Sequence, residues 1–280
     1  MNRKFILNAD DFGMSKAYNK AVFEAYNFGI LKSASLCANG ESFDEAINEI
    51  IPKCQNLSTG VHLNIIEGKS LTNAPLLTDE NGNFNNGYVS MIIKSFNKDF
   101  MQEVEAEFRA QIEKIQEKTK IDHIDSHVHT HAIPNIFKLT VKLAKEYEIP
   151  YIRTQFEKPY FVPDKQKYFN LKYPVNILKI ILLNSFTVIN KIYLCNKELR
   201  TNDYLIGVGY TGMMNEMTVE YGLKALNNDD FVAEALIHPC DYDESVQDSH
   251  YTEFLITQNE SLKNKISEMD IELISHNSAY

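Results

Sequence analysis

The chain reads as an α/β protein, a parallel sheet with helices packed outside it. Three observations carry that reading. Short apolar runs alternate with helical patterns from end to end, the signature of repeated strand-then-helix units. The residues best suited to chemistry, Asp10, Asp11, His62, His127 and His238, fall at or near the ends of expected strands. The 280 residues show no internal repeat or linker, so one domain is expected over 1–280; single β/α barrels run to ~250 residues or more.

The elements follow in order. Lys4 to Asn8 is a buried strand running into the acidic pair Asp10-Asp11. Ser15 can cap a helix through Phe28, with Ala17, Ala21, Val22 and Ala25 apolar and Gly29 as its stop. Leu31 to Ala38 is a second strand, Phe43 to Ile51 a helix ended by Pro52, and Thr59 to Ile65 a third strand that contains His62. Thr72 to Gly87, rich in Asn, Thr, Pro and Gly, is a loop over one end of the fold. Phe100 to Lys118 is a long charged amphipathic helix, and a histidine-rich strand follows it. Pro134 to Tyr147 is helical and Ile149 to Arg153 strand-like. The least regular part is a variable insertion at about 155–205. Ala233 to His238 is a late strand, Glu253 to Met269 a helix and Ile271 to Ile274 a final strand.

Composition narrows the partners. A net charge of -10 argues against nucleic acid, because phosphate binding needs clustered Lys and Arg. Cys37, Cys54, Cys195 and Cys240 are widely spaced, without a C-x-x-C pair, and read as reduced, buried residues of a cytoplasmic protein. The apolar run at the N-terminus is too short for a signal peptide. Val175 to Leu194 approaches the length of a spanning helix, but Asn176, Lys179, Asn184, Asn190 and Lys191 interrupt it. The expectation is no integral membrane segment and a buried amphipathic helix, the alternatives being a dimer face or a lid near an amphiphilic substrate.

Ile121 to His131, I-D-H-I-D-S-H-V-H-T-H, holds half of the eight histidines. If extended, His123, Asp125, His127, His129 and His131 share one face. Neutral imidazole is the commonest protein metal ligand, so metal binding by at least one of them is expected. His62, taken alone on an apolar strand, reads more often as a hydrogen-bonded core histidine, and His238 before Pro239 has the same alternative. Two histidines and one carboxylate on a metal leave positions open for water and substrate. A second carboxylate can then take a proton from water, and a histidine across the site can protonate a leaving group. Those parts suit hydrolysis of an amide or ester; the same ligand set also serves non-haem iron oxygenases.

N-A-D-D-F-G-M-S at Asn8 to Ser15, G-V-H-L-N at Gly60 to Asn64 and H-I-D-S-H-V-H-T-H at His123 to His131 occur in that order, with I-R at Arg153 and I-H-P at His238. Together they resemble the YdjC-like carbohydrate deacetylases, which include chitooligosaccharide deacetylases. The resemblance implies a distorted β/α (TIM-like) barrel, polysaccharide-deacetylase-like, holding one divalent ion and removing acetyl groups from N-acetylated mono- or oligosaccharides. It places Asp11, His62 and His127 as metal ligands, Asp10 as general base and His238 as general acid. His129 and His131 would contact substrate or stand behind the ligands, and Arg153 would orient Asp10 or the substrate. The resemblance permits Mg2+, although imidazole favours Zn2+, Mn, Co or Fe. It also implies a homodimer, which would give Val175 to Leu194 something to cover. The chitooligosaccharide members carry H-H-H where this chain has His127-Val128-His129, which alters the wall of the site. Removal of O-acetyl groups by an esterase, and a non-catalytic metal-containing carbohydrate-binding protein, are the competing functions.

Overall fold

The structure, a computed structural model, describes residues 2–194, 199–226, 230–241 and 248–279. Cys195 and part of the expected insertion lie outside the described residues, while Cys37, Cys54 and Cys240 are buried thiols.

The strands β1 (Arg3–Phe12), β2 (Ser33–Leu36), β3 (Ser58–Leu63), β4 (His123–Ser126), β5 (Tyr151–Ile152), β6 (Tyr204–Ile206), β7 (Phe231–Ile237) and β8 (Glu272–Ile274) form one parallel sheet. Its order is β5-β4-β3-β2-β1-β7-β6, with β8 paired to the first half of β1. The main helices are α1 (Lys16–Phe28), α2 (Lys98–Gln116), α3 (Pro134–Glu146), α4 (Lys172–Asn190), α5 (Glu216–Lys224), α6 (Asp248–Thr257) and α7 (Glu260–Glu268). Strand β1 has partners on both edges and every residue from Phe5 to Phe12 is buried. This explains its near-continuous apolar run, since a parallel strand covered on both faces has no polar side to alternate. Ser15 caps α1 by accepting from the Tyr18 N–H, and Asn97 caps α2 by accepting from that of Phe100.

The sheet curls until its end strands approach, but a complete barrel ladder is not made among the described residues. Tyr151 and Arg200 form a single bridge, and the Leu205 N–H donates to the Phe156 carbonyl. Between them the N–H groups of Thr154 and Gln155 are taken by the side chains of Asn202 and Thr187. Side chains occupy these backbone donors, so among the described residues the α/β fold is a curled, half-barrel parallel sheet, the coarser part of the expected distorted barrel.

Three further expectations change. The histidine run is not one extended face: β4 stops at Ser126, and His127–Ala132 turns tightly with Val128 (φ 52°) and His129 (φ 57°) left-handed. The Glu253 to Met269 helix is two helices, because Asn259 caps a new one by accepting from the Leu262 N–H. Finally, α4 is not a buried helix. Asn176, Ile180, Leu183, Phe186, Thr187 and Asn190 face the body, while Leu178 (68% exposed), Ile181 (58%) and Val188 (61%) face outward. By length and composition alone, Lys172–Leu194 could cross a membrane.

Candidate active site

All strands run the same way, so their C-terminal ends gather Asp10 and Asp11 (β1), His62 (β3), His127 (after β4) and His238 (after β7) at one edge, where open α/β sheets bind ligands. Adjacent residues on a regular strand face opposite ways. Here the register of β1 against β2 shifts between Ala9 and Phe12, and Asp11 adopts φ 62°. A left-handed non-glycine residue costs roughly 1–2 kcal/mol. The result is that both carboxylates lie beside His62.

Asp11 Oδ1 is 2.9 Å from His127 Nδ1 and 3.4 Å from His62 Nε2. One ligand atom from each of the three residues lies within 4.8 Å of the others. His62 Nδ1 is held by Asp125 Oδ1 at 2.7 Å, and His62 and Asp125 are register partners across β3 and β4. Burial opposes charge on both imidazoles, yet neighbouring carboxylates prevail: Asp125 and then Asp11 raise the His62 pKa to about 10, and Asp11 raises that of His127. The same contacts hold the Asp11 carboxyl well below its usual range despite its burial. Glu67 Oε2 stands 3.4 Å from His127 Nε2 on the solvent side.

Behind this group Arg153, 0% exposed, gathers three carboxylates. Its NH1 and NH2 donate to Asp10 at 2.8 and 2.7 Å, NH2 lies 2.6 Å from Asp125, and Nε donates to Glu234 at 2.6 Å. Asn8 donates to the same Asp10 oxygen as NH2, at 2.8 Å. Of the two partners expected for Arg153, Asp10 or the substrate, the structure pairs it with Asp10, and its side chain is buried away from the cavities. Of the two positions expected for His131, the structure places it behind the ligands: it is fully buried, its Nδ1 2.5 Å from Ser126 Oγ and its Nε2 3.0 Å from the Arg153 carbonyl. Burial pushes its pKa down to about 4.

His129 differs. Its ring lines a cavity of about 340 Å3 together with Asp10, His62, His127, Lys179 and His238. Its Nδ1 is buried with no hydrogen-bond partner among the described residues. Burial, reinforced by the Arg153 charge, keeps the ring neutral. A second cleft of about 530 Å3 adjoins it, sharing His127, Lys179 and His238 and reaching Asp11.

Glu253 on α6 accepts the His238 N–H at 2.6 Å and holds its Nδ1 at 3.1 Å. Burial disfavours charge on this ring, but the hydrogen bond and charge of Glu253, followed by Asp11 and Asp10, raise its pKa to about 9. The ring is thus a cation near neutral pH. His123 takes no part in this centre: it is buried, its Nδ1 2.5 Å from Asp122 and its ring stacked on His276 at 3.6 Å.

Sequence reasoning missed Asp125, Glu253, Glu234 and Glu67 as partners of the expected residues. Asp125 lay inside the histidine motif, and only the pairing of β3 with β4 brings it to His62. Glu253 and Glu234 sat in an expected helix and strand with nothing local to mark them.

A family model described as YdjC-like protein matches residues 4–272. A carbohydrate deacetylase of Brevibacillus brevis is 38% identical over 149 residues, covering 52% of this chain and 58% of that protein. Carbohydrate deacetylase 2 of Listeria innocua is 33% identical over 183 residues, covering 61% and 72%. The matched region thus spans under two thirds of the Brevibacillus relative's length. The crystal structure of an Enterococcus faecalis V583 protein proposed to cleave cellobiose phosphate superposes with a TM-score of 0.77 over 99% of both chains, at 24% identity.

Proposed function

Because the chain belongs to the YdjC-like protein family, we propose that it is a metal-dependent hydrolase removing the acetyl group from an N-acetylated mono- or oligosaccharide. The observation that carries this reading is the convergence of Asp11, His62 and His127 with Asp10 and His238 on two adjoining cavities.

The donor set suits a divalent cation. Asp125 fixes the tautomer of His62 so that Nε2 faces Asp11, the carboxylate-histidine pairing that commonly supports a metal ligand. Asp10, Asp125 and Glu234 are buried around the Arg153 guanidinium and Asp11 is buried beside them against His62 and His127, so the site is short of permanent positive charge. Buried charges need compensation, and the raised imidazole pKa values express the same shortage. A divalent ion held by Asp11, His62 and His127 would polarise the acetyl carbonyl and bring the pKa of water towards neutrality.

The chain's own residues supply the proton transfers. Asp10, lining the cavity and held in orientation by Arg153 and Asn8, receives the proton of the attacking water. His238, charged and steadied by Glu253, gives a proton to the departing amine, which leaves poorly without one. His129 offers the cavity a neutral ring as a contact for the sugar. Acetate release from matched N-acetyl and O-acetyl sugars tests the reading. Turnover of N-acetyl sugars is expected; release from O-acetyl sugars alone would make the protein an esterase, and binding without release would make it a carbohydrate-binding protein.

A further inference from the structure

Helix α4 presents an apolar face that none of the described residues covers. Leu171, Val175, Leu178, Ile181, Val188 and Ile192 are all more than half exposed, a continuous stripe at helical spacing. The same stretch is charged with one sign. Residues 165–194 contain five lysines and no acidic residue, in a chain of net charge -10. Lys165, Lys172 and Lys179 are exposed and make no ion pair among the described residues.

Polar side chains pin the opposite face to the body. Asn176 donates to the Thr211 carbonyl, Asn184 exchanges two hydrogen bonds with the Glu157 backbone, and Asn190 donates to the Ala132 carbonyl. A helix tied down this way lies on a surface instead of crossing it. Its inner edge, through Val175, Lys179 and Leu182, forms part of the lining of the catalytic cavities.

We propose that α4 is an interfacial helix that docks the protein on an anionic phospholipid surface with the cavities opening at that surface. Apolar stripe and lysines match the two attractions such a surface offers, acyl-chain contact and negative potential. A second copy of the chain fits less well, because residues 165–194 packed on themselves about a two-fold axis would bring lysines together with no carboxylate of that stretch to pair them.

Flotation of the intact protein with phosphatidylglycerol–phosphatidylcholine vesicles tests the proposal without reference to catalysis. Binding is expected to these and to be much weaker to pure phosphatidylcholine. Each lysine changed to Gln among Lys165 and Lys172 should reduce partitioning roughly fivefold at low salt. Leu178→Asp with Ile181→Asp, both at exposed positions, should abolish it with circular dichroism unchanged. Overturning results are no binding by the natural chain, undiminished binding by the double variant, or a dimer that the double variant dissociates while vesicles are ignored.

Discussion

At the scale of single residues, the two adjacent aspartates divide the work. Asp11 faces two imidazoles, whereas Asp10 is clamped by Arg153, so Asn substitutions should separate them. Asp11→Asn is expected to lose bound metal. Asp10→Asn should keep it while kcat falls by about 10²–10⁴-fold, the usual worth of a general base. Elemental analysis beside kinetics decides, and metal loss in Asp10→Asn with retention in Asp11→Asn would reverse the roles. For His238 the raised pKa sets the sign: the protonated acid is present below about 9, so activity should decline as pH rises through that value. Glu253→Gln removes a cause of the raised pKa, so this limb should move to lower pH. The same linkage gives a stability signature. The charged His238–Glu253 pair stabilises fully below the ordinary histidine pKa of ~6.5, and the effect is lost as pH rises through about 9. Denaturation of Glu253→Gln should therefore show its deficit in mild acid and little in alkali; an equal deficit at both would leave the pair without this role. The aspartate pair and the three histidines stood out as candidates at or near strand ends, but their roles came from the resemblance, since His62 and His238 taken alone read as readily as core histidines. Glu253 did not stand out, since nothing local shows which residue of the following helix returns to the strand end.

At the scale of elements, strand existence was more legible than strand geometry. The apolar runs of β1, β3 and β7 mark buried strands, but a run of alternating histidines looks the same whether it stays extended or turns. The chain turns after Ser126, and Val128 and His129 take left-handed conformations there. This aims His127 at Asp11, leaves His129 at the cavity and buries His131. Helix α4 misled for another reason: its apolar content is real, yet its asparagines face inward to bond loop backbone. Pattern alone cannot show which stripe meets the body. Element packing also explains Gly60 on β3. A Cβ there would lie 2.2 Å from the ring of His123, which is itself stacked on His276 and so cannot yield easily. Gly60→Ala should destabilise by roughly 1–3 kcal/mol, the range of overpacked cores. A lowered urea midpoint with unchanged slope is the expected observation, and an unaltered midpoint would show that the ring has room to move.

At the scale of the whole molecule, the parallel sheet works as a device for concentrating charge. Strand ends from residues as far apart in sequence as Asp10 and His238 deliver carboxylates and imidazoles to one buried edge. The fold tolerates this because Arg153 bridges three of the acids and because protonated imidazoles fill the remaining deficit. Occupation by a divalent cation must displace those protons. Calorimetry in buffers of different ionisation enthalpy should therefore detect proton release on metal binding near neutral pH, whereas buffer-independent heats would show that the imidazoles were already neutral. Curling without a closed ladder leaves the edge near β5 and β6 to side chains, and α4 lies over the same side of the site. The most direct measurement of the central claim is acetate release from an N-acetylated sugar by protein stripped with a chelator and then resupplied with Zn2+ or Mg2+, beside His62→Ala treated identically. Activity should vanish on stripping, return with metal in the natural chain and stay absent in His62→Ala. Undiminished release by the stripped protein, or full recovery by His62→Ala, would contradict a metal-dependent centre built on Asp11, His62 and His127.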